Sequence, residues 1–351
     1  MRIRKSAIAG LLTAIVFATA NLAPTISAAQ EKKSDNLIPI NIGLPISNYW
    51  PAYVARDLKL FEKVGLKPTF YSFTTGAPLI AGMKSGSLDV AWTGLATLFM
   101  LGQDIPLTFV LVPLDSSSQM AFVASPKSGI NSYKDLAKSK NIAAPTATCA
   151  EVSLVLAAKK AGVPMSSLKS SNLAPPVILT ALQNGQVDST FIWGPWNLLY
   201  RNAGFKIVNW DKDFQIAGGV CATTAAARPK FLEDHPSVGC KLVKVHALAL
   251  AEARKHPELA IKTMEDAFGT THAIAKETYD TLLIPTIKSQ LDPKSPWSLT
   301  NKDGGLLEKL FVAGQALYEA GDFKKPLSKE TIWKSIDSKY IKQYLDSDCK
   351  S

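Results

Sequence analysis

Residues 67–94, "KPTFYSFTTGAPLIAGMKSGSLDVAWTG", predict a strand, a helix and a second strand in direct succession. "KPTFYSF" and "LDVAWT" are short runs rich in β-branched and aromatic residues, which favour strands. The segment between them, "APLIAGMKSG", has the pattern of a short helix. Two strands connected through a helix form the repeating unit of a parallel sheet.

The same alternation extends over most of the chain. Before this stretch, "IPINIGLPI" predicts a strand, and "PAYVARDLKLFEKVG" predicts a helix because its apolar residues recur at helical spacing. After it, strand and helix patterns alternate as far as "FKIVNW" at residues 205–210. From "RPKFLEDHP" onward the pattern is mostly helical. This order predicts an α/β fold with mainly parallel sheets.

The first 29 residues have the layout of a secretory signal peptide. A basic start, "MRIRK", precedes the apolar run "AIAGLLTAIVFATA", and small residues follow in "TISAAQ". The apolar run is shorter than the roughly 20 residues that a membrane span needs. We expect cleavage after Ala28 or Ala29, which would leave 351 − 29 = 322 residues of an exported, periplasmic protein. A chain of that size exceeds one ordinary core, so two lobes are expected.

Composition and motifs argue against several classes of protein. The formal net charge of +10 includes three residues of the expected signal peptide, and the other basic residues are spread along the chain without a basic stripe. Nucleic acid binding is therefore not expected. The sequence contains no phosphate-binding loop, nucleophile elbow or HExxH motif. We expect a monomeric binding protein with no catalytic residues, no metal and no cofactor, rather than an enzyme.

The four cysteines are widely spaced and form no metal-binding pattern. In an oxidising compartment one disulfide is plausible, and Cys240 with Cys349 is the pair that we favour. Inert buried thiols are the alternative interpretation.

Ligands of open α/β sheets bind where strands end and helices begin. Five such junctions carry polar or aromatic residues, at residues 48–50, 74–76, 93–94, 146–148 and 193–196. Three of them place threonine at a predicted helix N-terminus, where free N–H groups attract anions, although threonine is also an ordinary N-cap. The other two contain tryptophan, which either fills a core or forms a wall against a ligand. Together they predict a polar and aromatic pocket.

Glu151 has two possible roles. Thr148-x-x-Glu151 fits a capping box, in which the glutamate accepts a hydrogen bond from the N–H of Thr148. A glutamate in a ligand pocket would instead contact an ammonium group. We favour the capping role and keep Glu151 among the candidate site residues.

Several segments resemble the periplasmic substrate-binding proteins of ABC importers for taurine, alkanesulfonates and nitrate. The segments are "VARDLKLFEKVGLK", "FTTGAPLIAGMKSGSLDVAWTG", "KDLAKSKNIAAPTATCAEVSLVLAAKKAGV", "LAPPVILTALQNGQVDSTFIWGPW" and "RPKFLEDHP". Each is weak alone, but their order runs from about residue 40 to the C-terminus.

The resemblance implies a type II periplasmic-binding-protein fold, with two α/β lobes that close over a solute. Lobe one would contain residues 38–124 and 229–351 and lobe two residues 125–228, with hinge crossings near Ala124-Ser125 and Ala227-Arg228. The solute would pass to a membrane permease driven by an ATPase. The matching pocket positions are Asn48, Tyr49, Trp50, Thr75, Gly76, Thr93, Gly94, Thr148, Cys149 and Trp193.

The chain also departs from the sulfonate-type pattern. Leu95-Ala96-Thr97 stands where two serines and a proline are common, Glu151-Val152 replaces a histidine before an aromatic residue, and Thr223 replaces an acid of taurine-type proteins. Trp92 and Trp196 add to the expected aromatic surface. A larger aromatic or amine-bearing solute, such as a thiamine-pyrimidine precursor, therefore stays an alternative to a small sulfonate. An exported enzyme on the same scaffold and a receptor module are further alternatives.

Overall fold

The computed structural model describes residues 37–214 and 219–350. The expected signal peptide and its cleavage point lie outside these residues. The strands are β1 (Ile38–Pro45), β2 (Leu66–Phe73), β3 (Val90–Thr93), β4 (Thr108–Leu111), β5 (Ala121–Ala124), β6 (Ile142–Ala143), β7 (Ser170–Ser171), β8 (Ser189–Ile192), β9 (Lys206–Trp210) and β10 (Thr224–Ala227).

The helices up to the end of the strand-rich part are α1 (Trp50–Asp57), α2 (Leu60–Lys63), α3 (Gly76–Ser85), α4 (Ala96–Gly102), α5 (Cys149–Ala161), α6 (Pro175–Gln183) and α7 (Trp196–Asn202). The C-terminal helices are α8 (Pro229–Asp234), α9 (Val238–Lys255), α10 (Pro257–Phe268), α11 (His272–Thr281), α12 (Gly305–Ala320), α13 (Lys329–Trp333) and α14 (Lys339–Ser347). Short 3-10 turns lie at Ser116–Gln119, Tyr133–Lys138, Met165–Ser167, Asp211–Asp213 and Lys288–Leu291. No helix within the described ranges is long and apolar enough to cross a membrane.

The strands form two five-stranded sheets, in the orders β2-β1-β3-β10-β4 and β7-β6-β8-β5-β9. In the first sheet β1 is parallel to β2 and β3, and β10 is antiparallel to both of its neighbours. In the second sheet β6 is parallel to β7 and β8, and β5 is antiparallel to both of its neighbours. The predicted α/β fold with two mainly parallel sheets is therefore confirmed.

The points at which the chain changes sheets differ from the expected hinge positions. β5 pairs with β8 and β9, so residues 121–124 belong to the second sheet rather than to lobe one. β10 pairs with β3 and β4, so residues 224–227 belong to the first sheet rather than to lobe two. The crossings thus run over residues 112–120 and, where the structure describes the chain, residues 211–214 and 219–223, on the N-terminal side of the expected positions. Both strands are short and fully buried, and backbone pairing rather than sequence pattern decides their sheet.

The two crossings are paired with each other. Asp115 and Ala222 form an antiparallel bridge, and the N–H of Ser116 donates to the carbonyl oxygen of Cys221 at 3.0 Å. Asp115 is fully buried, and one of its carboxylate oxygens lies 3.1 Å from the ammonium nitrogen of Lys309 on α12. The indole N–H of Trp297 donates to the same oxygen at 2.8 Å. This buried ion pair joins the crossings to the C-terminal helices.

Two disulfides link distant parts of the chain. The predicted bond between Cys240 and Cys349, here called the C-terminal disulfide, is confirmed and joins α9 to the residues after α14. Cys149 and Cys221 form a second bond, here called the cleft disulfide. It joins the first residue of α5 to the second crossing, and the sequence did not predict it. The alternative of buried free thiols is wrong for both pairs.

Candidate functional site

A cavity lies between the two sheets, beside the crossings, where several strands end and helices begin. The space between its walls is about 480 Å³ when the open solvent at its mouth is included, and the enclosed cavity volume is about 40 Å³. The lining residues are Pro45, Ser47, Tyr49, Thr74, Thr75, Gly76, Leu79, Thr93, Gly94, Leu95, Ala96, Ser116, Ala147, Thr148, Cys149, Trp193, Cys221 and Thr223.

Eight of the eleven residues singled out from the sequence line this cavity. They are Tyr49, Thr75, Gly76, Thr93, Gly94, Thr148, Cys149 and Trp193. The loops after β1, β2 and β3 bring the first five together, and the loops after β6 and β8 bring the last three. That these residues contact a ligand stays a prediction.

Asn48 is a candidate that does not line the cavity. It is fully buried, and its amide nitrogen donates to the side-chain oxygen of Gln119 in the first crossing. Its amide oxygen accepts a hydrogen bond from Ser47 at 3.0 Å and a longer one, 3.4 Å, from Ser116. Asn48 therefore holds the loop after β1 against the crossing. Two of its partners, Ser47 and Ser116, do line the cavity.

Trp50, expected as a wall of the cleft, also lies outside the lining. It is the first residue of α1, is only 4% exposed, and packs against Tyr279 on α11 with 5.3 Å between ring centroids. Trp92 is fully buried beside Phe61. The indole N–H of Trp196 donates to the carbonyl oxygen of Ile46 at 3.3 Å. The extra aromatic surface expected from these three tryptophans is therefore absent from the described lining.

Glu151 caps the start of α5, but one residue earlier than the capping box predicts. Its carboxylate accepts from the N–H of Ala147 at 2.7 Å, whereas the Thr148 hydroxyl accepts from the N–H of Ala150 at 3.1 Å. Ala147 has a left-handed backbone (φ 55°), which turns its N–H toward the carboxylate. Burial, helped by the carboxylate of Asp322, raises the pKa of Glu151 to about 7, and the Ala147 hydrogen bond opposes this rise. Glu151 does not line the cavity.

Several lining residues were not among the predicted set. Ser116 and Cys221 come from the two crossings, and no pattern in the sequence indicated that these segments reach the site. Leu95, Ala96 and Thr223 were noted only as departures from the sulfonate-type pattern, yet all three line the cavity. Their place at strand ends, or next to a junction already singled out, was the signal that could have identified them.

Four helices begin at lining residues: α1, α3 and α4, which follow strands of the first sheet, and α5, which follows a strand of the second. Thr75 precedes α3 in an extended conformation and makes no capping hydrogen bond, so its hydroxyl is not committed to the helix. Thr148 caps α5. A methyl group added at Gly76 would lie 2.3 Å from the carbonyl oxygen of Ala147, and one added at Gly94 would lie 2.8 Å from the Sγ of Cys149. The N-termini of α3 and α5 are thus in close contact across the cleft.

Tyr49 and Trp193 supply the aromatic part of the lining. Burial raises the pKa of the Tyr49 phenol far above its usual value, and nearby Tyr53 adds to this, while Thr223 and Thr93 act in the opposite direction. The phenol therefore stays neutral. Trp193 is 6% exposed, and its indole nitrogen is buried without a hydrogen-bond partner among the described residues. The indole N–H groups of Trp50 and Trp92 also lack partners, so it is the place of Trp193 in the lining that makes its N–H available to a ligand oxygen.

The walls carry no full charge. Apart from the neutral Tyr49 phenol and the disulfide-bonded cysteines, no described lining residue is ionisable. Among the described residues there is also no cluster of three or more His, Cys, Asp or Glu side chains that could hold a metal ion. The polar groups that face the cavity are hydroxyls and helix N-termini, whose free N–H groups attract anions.

Two sheets, each with one reversed strand and joined by two paired crossings around a cavity, define the architecture of periplasmic solute-binding proteins. The fold is similar to that of the alkanesulfonate-binding protein from Xanthomonas axonopodis pv. citri bound to MOPS, with a TM-score of 0.70 and 17% identity. That similarity covers 85% of this chain and 99% of that chain. At this identity it shows the fold alone.

The sequence comparisons define the family. The family profile described as "NMT1/THI5 like" matches residues 46–260, and the chain belongs to this family. It is 27% identical over 223 residues to the taurine-binding periplasmic protein of Escherichia coli. The matched region covers 62% of this chain and 67% of that protein. It is 28% identical over 165 residues to a putative binding protein of Brucella abortus. The matched region covers 46% of this chain and half of that protein's length.

Proposed function

We propose that this protein is an extracytoplasmic solute-binding protein that captures a small organic sulfonate in the cavity between its two sheets. The observation that carries the proposal is the convergence of two helix N-termini and the unpartnered indole N–H of Trp193 on one small cavity. Such groups donate hydrogen bonds to the oxygens of an anion. The taurine-binding relative supports this choice of ligand.

The proposed mechanism is closure of two lobes over the ligand. Arg201 on α7 and Glu277 on α11 form a bidentate ion pair, with N–O distances of 2.8 and 2.6 Å, outside the cavity. Contacts of this kind form when lobes close and break when they open. The closed protein would then deliver its solute to the permease of an ABC importer, which a separate ATPase drives.

The remaining parts of the proposal follow from the same role. Residues 1–29 would be a signal peptide cleaved near Ala28 or Ala29, and the mature protein would act as a monomer in the periplasm. Periplasmic relatives support this location. Lobe boundaries within the crossings at residues 112–120 and 211–223 would replace those expected from the resemblance. The protein would bind its solute without changing it chemically.

Isothermal titration of the purified protein with C2 to C4 alkanesulfonates, nitrate and an aminopyrimidine tests the proposal. We expect a sulfonate to bind, and Trp193→Phe to weaken its binding by roughly 10- to 100-fold, since a hydrogen bond to a charged group contributes about 1.5–3 kcal/mol. Trp92→Phe is the matched control, because it removes another buried and unpartnered indole N–H away from the cavity.

If only the aminopyrimidine binds, the sulfonate is not the ligand, and the alternative solute takes its place in the proposal. Mass spectrometry of the bound solute after incubation tests the non-catalytic role. A turnover product would make the protein an enzyme.

A further inference from the structure

The charge of the lining limits which sulfonates fit. The described lining residues include no aspartate, glutamate, lysine, arginine or histidine. A ligand that enters the cavity therefore meets only hydroxyls, peptide groups, aromatic rings and apolar surface.

Two acids lie just behind this lining, and both are already engaged. Glu151 accepts a hydrogen bond from Ala147 at 2.7 Å. Asp115 accepts hydrogen bonds from the N–H of Ser117 at 2.9 Å and from the indole N–H of Trp297 at 2.8 Å, and it is paired with Lys309 at 3.1 Å. Neither carboxylate lines the cavity. A cationic group of a ligand would thus meet no carboxylate in the lining itself.

The N-termini of α3 and α5 also disfavour a cationic group in the cavity. The N-termini of α3 and α5 each carry a partial positive charge of roughly half a unit, which attracts an anion and repels a cation. An ammonium group in this cavity would lose its water shell and lie close to both ends. Apolar side chains such as Leu79 and Leu95, together with the cleft disulfide, form the rest of the wall. They suit an uncharged alkyl tail.

We infer that the cavity selects small monoanionic sulfonates with an apolar tail and rejects zwitterionic sulfonates of the same size, taurine among them. The inference rests on the proposed function and narrows its ligand class. It separates this chain from the ligand for which its taurine-binding relative is named, because the described lining has no carboxylate to pair with an amine.

Propane-1-sulfonate and taurine test the inference because they differ only by a methyl group in place of an ammonium group. Isothermal titration of the wild-type protein should give a dissociation constant for propane-1-sulfonate at least about 100-fold below that for taurine, since an unpaired buried charge is costly. Propane-1-sulfonamide, which is neutral, should also bind more weakly than the sulfonate. Equal or tighter binding of taurine would overturn the inference and leave the proposed function intact. If neither sulfonate binds, the proposed function fails and the inference fails with it.

A charge introduced into the lining gives a second measurement. Thr223 is buried beside Tyr49, and Thr223→Asp should strengthen taurine binding and weaken propane-1-sulfonate binding, each by at least about 10-fold. Thr223→Asn is the matched uncharged control and should leave the preference for propane-1-sulfonate in place. An unchanged preference in a folded Thr223→Asp protein would contradict the inference. If that variant does not fold, the titration of the wild-type protein with propane-1-sulfonate and taurine decides whether the inference holds.

Discussion

Gly76 allows the two helix N-termini to meet across the cleft, so Gly76→Ala should block closure without unfolding the protein. The added methyl would lie 2.3 Å from the carbonyl oxygen of Ala147 and 2.9 Å from its Cβ. Ordinary contacts begin at about 3.4 Å, so the two sides must separate by about 1.1 Å (3.4 − 2.3). Gly76 does not have a positive φ, so alanine fits its backbone.

The cost can be estimated from overpacked cores, where an inserted methyl group costs typically 1–3 kcal/mol. If this cost applies only to the closed state, the affinity for the ligand falls by roughly 5- to 150-fold. The stability of the ligand-free protein should stay equal or rise slightly, because alanine favours helices over glycine by about 0.5–1 kcal/mol. Isothermal titration and urea denaturation measure the two quantities separately.

Gly314→Ala is the matched control for this experiment. Gly314 lies within α12, and a methyl group added there would meet Leu327 at 3.6 Å, which is an ordinary contact. That variant should gain a similar amount of helix stability and bind ligand as the wild type does. If Gly76→Ala binds with wild-type affinity, or loses affinity only in proportion to lost stability, the closure argument is wrong.

Replacing both cysteines of either disulfide with serine should lower the free energy of unfolding by roughly 4–5 kcal/mol, because the bonds span 72 and 109 residues. Only loss of the cleft disulfide should weaken ligand binding, and isothermal titration of the two double variants compares their ligand affinities. The pKa of Glu151, raised from 4.5 to about 7, means that the folded state binds the proton more tightly. Stability should therefore fall by up to about 3 kcal/mol as pH rises from about 4.5 to 7, and Glu151→Gln should flatten this part of the urea-denaturation profile. Lys309→Met should cost about 3–5 kcal/mol by leaving Asp115 buried without its partner. Adding Asp115→Asn should restore much of that loss in thermal denaturation.

The alternation of strands and helices was predictable because hydrophobic periodicity is local. Two features were not. The predicted helix over residues 51–65 is broken into α1 and α2 at Lys59, whose left-handed backbone (φ 51°) is a feature that periodicity does not detect. The sheet to which β5 and β10 belong depends on which distant strands they pair with. Both are short and buried, and the segments Ser125-Pro126 and Arg228-Pro229 that follow them mark where the strands end but not which sheet they join, so the points at which the chain changes sheets were placed too late.

The candidate site was predictable to the extent that strand ends define it. Tyr49 and Trp50 illustrate the limit, since they are adjacent in sequence and only Tyr49 lines the cavity. Trp50 begins α1 and packs against α11, and that contact depends on a helix more than 200 residues later in the chain. The cleft disulfide was missed for the same reason. Its two cysteines approach only because the second crossing passes the start of α5.

The arrangement of the cavity links binding to closure in physical terms. The N-termini of α3 and α5 carry partial charges of the same sign, and they lie close together in the closed protein. Without an anion between them this approach is electrostatically unfavourable, so we expect the empty protein to favour an open arrangement. We propose that an anion offsets the repulsion by accepting hydrogen bonds from both ends, so that the close approach at Gly76 and Gly94 becomes favourable. Because the site uses partial charges and hydroxyls instead of a full counter-charge, separating the lobes divides the donor set between them and weakens the hold on the anion. Release would therefore need only a contact that opens the lobes, which suits the proposed delivery of the solute to a permease.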